Sequence, residues 1–466
     1  MTVARDPAPP RPSPAATTGA NEPPATPEPV LRQIWRGLRD PLDFLTGLEA
    51  EFGDIVTTRK GRTYAVFRPD YVKHVLQDNH ANYMKGARYR AVLAPLMGNG
   101  LFTSEGAFWL RQRRIAQGAF QRTQLPLFAA PILECVADFV PDWERKARAN
   151  ETVGLREDIT TLTLRAALRM LFGVDATSQM PALVEAVFGV NEEIKPGRAF
   201  LPVHLPAWVP TPGRRRFARS LSVIDDFVYR IIAQRKAAAD PGTDLIGLLV
   251  SARDPETGES MDELQLRDEI VTMLNAGHDT VTDAVVWALV QLASNPEARA
   301  RARDDVVRVV GSEWPTAASL GSMDYLGRVF RETLRLCPPA WGFGRTAIHA
   351  DTIGGYTIPA GATVLISPFV VHRSPRYWDR PLVFDPDRFL PEASAGRPKF
   401  AYFPFGSGPR MCIGANLASM EAPLIVAALL QRFDFELPAG TTVQFSPRIS
   451  LRPKGRLPLR VRALAH

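Results

Sequence analysis

Cysteine is scarce in this chain and scattered. Cys135, Cys337 and Cys412 form no CxxC pair, which argues against a disulfide framework or a cysteine-bound zinc and suits a reducing cytoplasm. Long apolar runs are also missing. The longest late run, residues 422–430, falls far short of the roughly 20 residues a bilayer span needs. The first thirty residues hold nine prolines and no apolar stretch fit for a signal peptide or membrane anchor, so residues 1–30 read as a disordered tail. Neither sign of charge dominates: 56 basic against 49 acidic residues leave +7. The basic residues are dispersed and no nucleic-acid motif accompanies them, which points to an acidic protein partner instead of nucleic acid. No internal repeat is evident.

What is present is a chain of 466 residues, 45% hydrophobic, whose length alone suggests two to four domains. Residues 54–69 alternate as a strand pair about Lys60-Gly-Arg62, and 107–334 read almost throughout as helix with 3.6-residue periodicity. β character returns over 346–367. A loop-rich stretch, 374–404, leads to a glycine-rich segment, a helix to about 433 and a final strand pair over 443–461. The fold class is therefore mainly α with a smaller β part. Because distant segments must pair to build that part, one intertwined domain over 31–466 is expected.

Two segments carry chemistry. Phe405-Gly-Ser-Gly-Pro-Arg-Met-Cys-Ile-Gly414 sets one cysteine in a glycine-hinged loop that opens onto an apolar helix. That arrangement suits an axial thiolate ligand for haem. Gly406 and Gly408 let the backbone turn sharply and bring N–H groups towards the sulfur of Cys412. Phe405 can shield it from water, and Arg410 can reach a haem propionate. Upstream, Ser260-Met-Asp-Glu263 reads as a capping box, followed by an apolar pattern that Asn295-Pro296 stops. The helix is about 50 Å long at 1.5 Å per residue. Its middle, Ala276-Gly-His-Asp-Thr280, places a glycine at a cost of about 1 kcal/mol and a carboxylate where a long apolar helix should have neither. The Thr280 hydroxyl can bond back to the Ala276 carbonyl and bend the helix. His278 reads as a polar helix residue.

The cysteine loop resembles that of the cytochrome P450 family, and the family's other parts follow in order over about 31–466. The sharpest resemblance, carried by Gly98-Asn-Gly-Leu-Phe-Thr-Ser104, Ala276-Gly-His-Asp-Thr280 and Glu332-Thr-Leu-Arg-Leu336, is to bacterial soluble fatty-acid hydroxylases. The resemblance implies one domain with a long central helix over haem b (iron protoporphyrin IX), held by Cys412. It implies that Thr280 holds the dioxygen being activated and that Asp279 relays protons. Trp109, Arg113, Arg345 and Arg410 would meet the propionates. Glu332, Arg335 and Arg388 of Phe384-Asp-Pro-Asp-Arg-Phe389 would form a structural trio beneath the cysteine. Phe102, Ala276, Trp341 and Ile449 would line an apolar, aromatic-walled cavity. The bulk of Trp341 favours a compact terpenoid over a fatty acid as the hydrophobic substrate.

The activity so implied is insertion of one atom of O2 into a C–H bond. No flavin or iron–sulfur domain accompanies the motifs, so electrons are expected from an acidic ferredoxin or flavodoxin with its reductase, docking on Arg111 and Arg114 by electrostatic steering. Two alternatives stand behind this reading. One is a peroxide-using or oxidative-coupling haem-thiolate enzyme, which commonly lacks the acid–alcohol pair present here as Asp279-Thr280. The other is a haem sensor without turnover, to which a kinked helix and apolar cavity would be superfluous.

Overall fold

The computed structural model describes residues 22–59, 61–173, 180–194 and 211–464. They are mostly helical, with short strands gathered into small sheets. The chain forms two compact units, each drawn from three separated stretches. One comprises Met1–Tyr89, Glu332–Cys412 and Gln444–Arg452; the other comprises Arg90–Arg331, Ile413–Val443 and Pro453–His466. Neither is contiguous in sequence, as an intertwined single domain requires.

The first unit is organised by a five-stranded sheet. Its order is Ile55–Thr58, Thr63–Val66, Thr363–Ile366, Phe343–Ala347, Tyr83–Met84. The hairpin expected about residues 60–62 pairs Ile55 with Val66 and Thr58 with Thr63. Thr63–Val66 then runs parallel to Thr363–Ile366, a contact between residues 300 positions apart. Alternation along the strand decides the packing. Tyr64 and Val66 join one apolar cluster with Val75, Val364 and Ile366, while Ala65 and Phe67 join another with Leu45, Leu48 and Phe369.

The second unit is built on the helix Glu263–Ser294, which packs on Leu155–Phe172, Pro212–Ala237 and Ala415–Arg432. Residues Val281 to Ala293 are buried on every side, as in a helix with no solvent face. Its start differs from expectation. Asp262, not Ser260, is the N-cap: its side chain accepts from the Gln265 N–H, and Gln265 reaches back to the Asp262 N–H. Arg111 donates to the Ser260 carbonyl at 2.9 Å, which holds Ser260 outside the helix.

Two further expectations change. Residues 443–461 do not form one strand pair. Phe445–Pro447 pairs with Leu451–Pro453, whereas Pro458–Ala463 lies between Thr152–Gly154 and Phe433–Glu436 in a separate three-stranded sheet. Gly455, at φ +74°, lies between the two pieces. Of the tail expected over 1–30, residues 1–21 lie outside those described. Pro24 and Thr26 exchange backbone hydrogen bonds with Thr57, and Val30 opens a helix. Among the described residues one stretch, Arg122–Arg148, is long and apolar enough to cross a membrane. It carries Phe128, Ile132, Val136, Val140 and Trp143 into the protein interior.

Candidate active site

In the first unit, the cysteine loop owes its shape to two left-handed glycines. Gly406 has φ +70° and Gly408 φ +68°, values that favour glycine. At Gly408 there is a second reason: a Cβ there would lie 1.8 Å from the Leu76 carbonyl oxygen. The backbone closes on itself. The Gly406 N–H donates to the Phe403 carbonyl at 2.9 Å, Met411 N–H to Gly408 at 3.0 Å and Cys412 N–H to Phe405 at 3.0 Å. Cys412 is exposed at the end of this loop, while Phe405 and Arg410 are half-buried.

Beneath the loop the structure brings Glu332, Arg335 and Arg388 together. Arg335 grips Glu332 in a fork, Nε to Oε2 at 2.6 Å and Nη2 to Oε1 at 2.8 Å. Arg388 Nε reaches Oε1 at 3.3 Å, and the Asp385 N–H donates to the same oxygen at 2.9 Å. The side chains of Glu332 and Arg335 have no exposed surface. Their remaining donors fasten the loop-rich segment through the carbonyls of His372, Pro381 and Val383 for Arg335, and of Asp379 and Arg380 for Arg388.

His372, which sequence reasoning missed, continues this connection. Its Nε2 accepts the Phe403 N–H at 2.9 Å, leaving the ring proton on Nδ1. Burial, with the Arg335 charge second, pushes it down to about 3, so it is neutral at physiological pH. Nothing in its neighbours, Val371 and Arg373, signals the role, because its partner is 31 residues away.

The other predicted residues of this unit occupy varied settings. Arg345 is half-buried, its Nη1 on the Gly344 carbonyl and its guanidinium 5.0 Å from the Phe343 ring. Trp341 packs against the cluster of Leu45, Val56 and Phe67, and its Nε1 donates to the Arg448 carbonyl at 3.0 Å. Ile449 is half-buried between the strands Phe445–Pro447 and Leu451–Pro453.

In the second unit, the middle of the long helix departs from its surroundings. Ala276 and Gly277 are exposed between buried Asn275 and His278, and a Cβ on Gly277 would meet nothing within 4 Å. Thr280 Oγ1 donates to the Ala276 carbonyl at 2.8 Å, and Thr282 repeats the pattern on His278 at 2.9 Å. Asp279 is about a quarter exposed, with His278 Nε2 3.3 Å from Oδ1 and Asn191 Nδ2 3.4 Å from Oδ2. His278 is buried, its Nδ1 donating to the Leu274 carbonyl at 3.2 Å. Trp109 is buried and Arg113 half-buried one turn on, in the helix Gly106–Gln117. Phe102 is half-buried in the loop before that helix.

Arg111 and Arg114 were expected as exposed docking cations, and they are not. Arg114 holds Asp254 through two bonds of 2.8 and 2.7 Å, and the Asp254 side chain has no exposed surface. The Arg114 hydrogen bond keeps that carboxyl well below the usual range. Arg111 takes Glu259 at 2.9 Å. Both arginines fasten the segment leading into the long helix. The partners lie about 140 positions away, beyond the reach of local patterns. Arg214–Arg216, left open between a lid and a helix start, fall in the first turn of Pro212–Ala237, behind the N-cap Thr211; residues 205–210 lie outside those described.

These residues suit a haem by their own chemistry. In the first unit Cys412 is an exposed thiol on a loop closed by its own backbone bonds, and in the second Ala276 and Gly277 are exposed within a largely buried helix. Among the described residues no group of three or more His, Cys, Asp or Glu could hold a bare metal ion.

Glu421 provides a pH test of the helix that follows the loop. It is buried within Ala415–Arg432, and burial raises it from 4.5 to about 8. A folded-state value above the unfolded one makes its contribution complete below about pH 4.5 and lost as pH rises through about 8. Glu421→Gln is therefore expected to melt progressively higher than the parent as pH is raised from about 6 to 9. A melting-temperature gap that stays constant over that range would contradict the assignment.

Known proteins agree with the geometry. The sequence pattern described as Cytochrome P450 matches residues 23–459. The chain is 36% identical over 417 residues to cyclooctatin synthase of Streptomyces melanosporofaciens, covering 89% of each chain. It is 30% identical to pentalenene oxygenase of Streptomyces avermitilis, covering 92% of this chain and 96% of that one. A crystal structure of the cytochrome P450DA heme domain superposes with a TM-score of 0.86 at 26% identity, over 95% of this chain and 97% of that one. With its thiol loop, its long central helix and these relatives, the chain belongs to the cytochrome P450 family and is a P450 monooxygenase.

Proposed function

We propose that this enzyme inserts one oxygen atom from O2 into a C–H bond of a compact hydrophobic substrate, a terpenoid before a fatty acid. The observation that carries the reading is the exposed Cys412 thiol, held by a loop whose own N–H groups and glycines fix it. The terpenoid preference rests on the relatives named for cyclooctatin and pentalenene and on the apolar character of Phe102, Ala276, Trp341 and Ile449. Electrons come from a separate acidic ferredoxin or flavodoxin with its reductase, in the cytoplasm, a partner that suits the net charge of +7.

Haem b, when bound, supplies the redox iron at which dioxygen is activated. Cys412 would ligate it and donate electron density as a thiolate, which Phe405 and Gly406 shield and shape. Arg113, Arg345 and Arg410 would neutralise the propionates, and Trp109 would donate its indole N–H to one of them. Thr280 spends its proton on the Ala276 carbonyl, so its oxygen lone pairs are left to accept from a water in the groove and hold it. Asp279, partly exposed between His278 and Asn191, takes protons from solvent and passes them towards that water. Glu332, Arg335 and Arg388 support the loop and do no chemistry.

Thr280→Ala tests the proton-delivery role. Product formed per NADPH is expected to fall on the order of tenfold or more, with hydrogen peroxide released instead, while haem content stays at the parent level. An unchanged product yield per NADPH would remove Thr280 from the mechanism.

A further inference from the structure

Two adjacent carboxylates on the long helix stand outside the proton pathway and outside every motif used above. Asp268 and Glu269 are buried, Glu269 with no exposed surface. Each accepts a backbone N–H from the loop that carries Phe102: Asn99 N–H to Asp268 Oδ2 at 2.7 Å and Leu101 N–H to Glu269 Oε2 at 3.0 Å. The loop is cut to fit this seat. Gly98 has φ +52°, and a Cβ there would sit 2.0 Å from Asp268 Oδ1. A Cβ on Gly100 would come within 2.2 Å of Thr272 Oγ1 and 2.6 Å of the Asp268 carbonyl. Thr103 Oγ1 closes the loop on the carbonyls of Gly98 and Gly100, at 2.8 and 3.2 Å. Leu101, Thr103 and Ser104 are buried, and Phe102 between them is half-exposed.

The seat is fixed from behind. Arg267 donates to Asp268 at 2.9 Å, to the Leu96 carbonyl at 3.0 Å and to Asp225 of the helix Pro212–Ala237 at 2.8 Å. A buried carboxyl oxygen that accepts a backbone N–H satisfies a donor that burial would otherwise leave unpaired at a free-energy cost. Two such bonds, one on each side of Gly100, leave the loop little freedom to slide along the helix.

We propose that Glu269, assisted by Asp268, is the positioning residue that sets where Phe102 stands and so what shape of molecule the site accepts. The proposal rests on the reading of Phe102 as a residue that faces the haem. Glu269 touches no substrate and acts through the loop.

Three variants separate anchoring from bulk. Glu269→Ala removes the acceptor, Glu269→Asp keeps the charge but withdraws it by one methylene, and Glu269→Gln keeps an acceptor at full length. In haem-loaded protein, amide hydrogen exchange at Leu101 is expected to quicken by about tenfold or more in the Ala and Asp variants and to stay near the parent rate in Gln. Spectral titration of the ferric protein with imidazole and with 4-phenylimidazole then reads the space under Phe102. The ratio of the two dissociation constants is expected to move at least about fivefold in the Ala and Asp variants, with Gln restoring it. Should Ala fail to fold, the Asp variant carries both readings. Unchanged Leu101 exchange in the Asp variant would overturn the anchor. Quickened exchange with an unchanged azole ratio would overturn its effect on the site. Protein that takes up no haem would instead remove the functional reading and the azole arm with it, while exchange at Leu101, measured in the haem-free chain, still decides the anchor.

Discussion

Replacing Cys412 with serine is expected to abolish turnover and to remove the long-wavelength Soret band of the reduced carbon monoxide complex, while the protein still folds. Cys412 is exposed and its side chain supports no core, so the substitution exchanges a soft, readily ionised thiol for a hydroxyl that stays protonated at neutral pH. The loop keeps its shape, because the Cys412 N–H bond to the Phe405 carbonyl and the left-handed glycines belong to the backbone. The loss should exceed the roughly 100-fold that removing a contact behind a metal ligand brings. Parallel measurement of haem content, circular dichroism and product formation checks it. A Cys412→Ser protein with parent-like turnover would mean that the iron is held elsewhere.

Glu332→Ala is the substitution expected to harm folding most. It removes the carboxylate that pairs with two cations at once: Arg335 in a two-bond fork and Arg388 at 3.3 Å. Breaking a buried ion pair by deleting one member costs about 3–5 kcal/mol, against a typical total stability of about 5–15 kcal/mol. The Asp385 N–H loses its acceptor as well, so the segment gripped by Arg335 and Arg388 loosens. The effect then passes through His372, whose carbonyl takes Arg335 and whose ring takes the Phe403 N–H, to the loop that bears Cys412. Purified Glu332→Ala is expected to melt about 3–5 °C lower and to carry well under the parent's haem per chain. Glu332→Gln, which keeps an acceptor, should fall between the two. A melting temperature and haem content equal to the parent's would show that the trio does not support the loop.

How far the sequence disclosed this arrangement depends on the range of each interaction. The cysteine loop was legible because its demands are local: two glycines at positive φ and a cysteine before an apolar helix. The Thr280 bond to Ala276 was legible because an i to i−4 hydroxyl bond needs only helix geometry. The long helix declared its end at Asn295-Pro296, but its start was misread. Ser260 with Glu263 and Asp262 with Gln265 satisfy the same capping pattern, and the choice between them is made by Arg111, far back in the chain. The same limit explains Arg114, whose partner Asp254 no spacing could indicate. Residues 443–461 read as one strand pair, yet only Phe445–Pro447 and Leu451–Pro453 pair with each other, while Pro458–Ala463 pairs with strands far back in the chain. His372 left no trace at all. Asp268 and Glu269 did leave one: two consecutive acids inside a buried helix are as anomalous as Asp279, and the rule that singled out Asp279 applies to them equally.

The central claim is that Cys412 binds haem iron as a thiolate. The most direct measurement is the absorbance difference spectrum of the dithionite-reduced, haem-loaded protein with and without carbon monoxide. The account predicts a Soret band at the long-wavelength position of thiolate-bound haem, lost in Cys412→Ser. A band at the shorter wavelength of histidine- or neutral-thiol-bound haem in the freshly prepared parent, or no haem signal in folded protein supplied with haem, would contradict it.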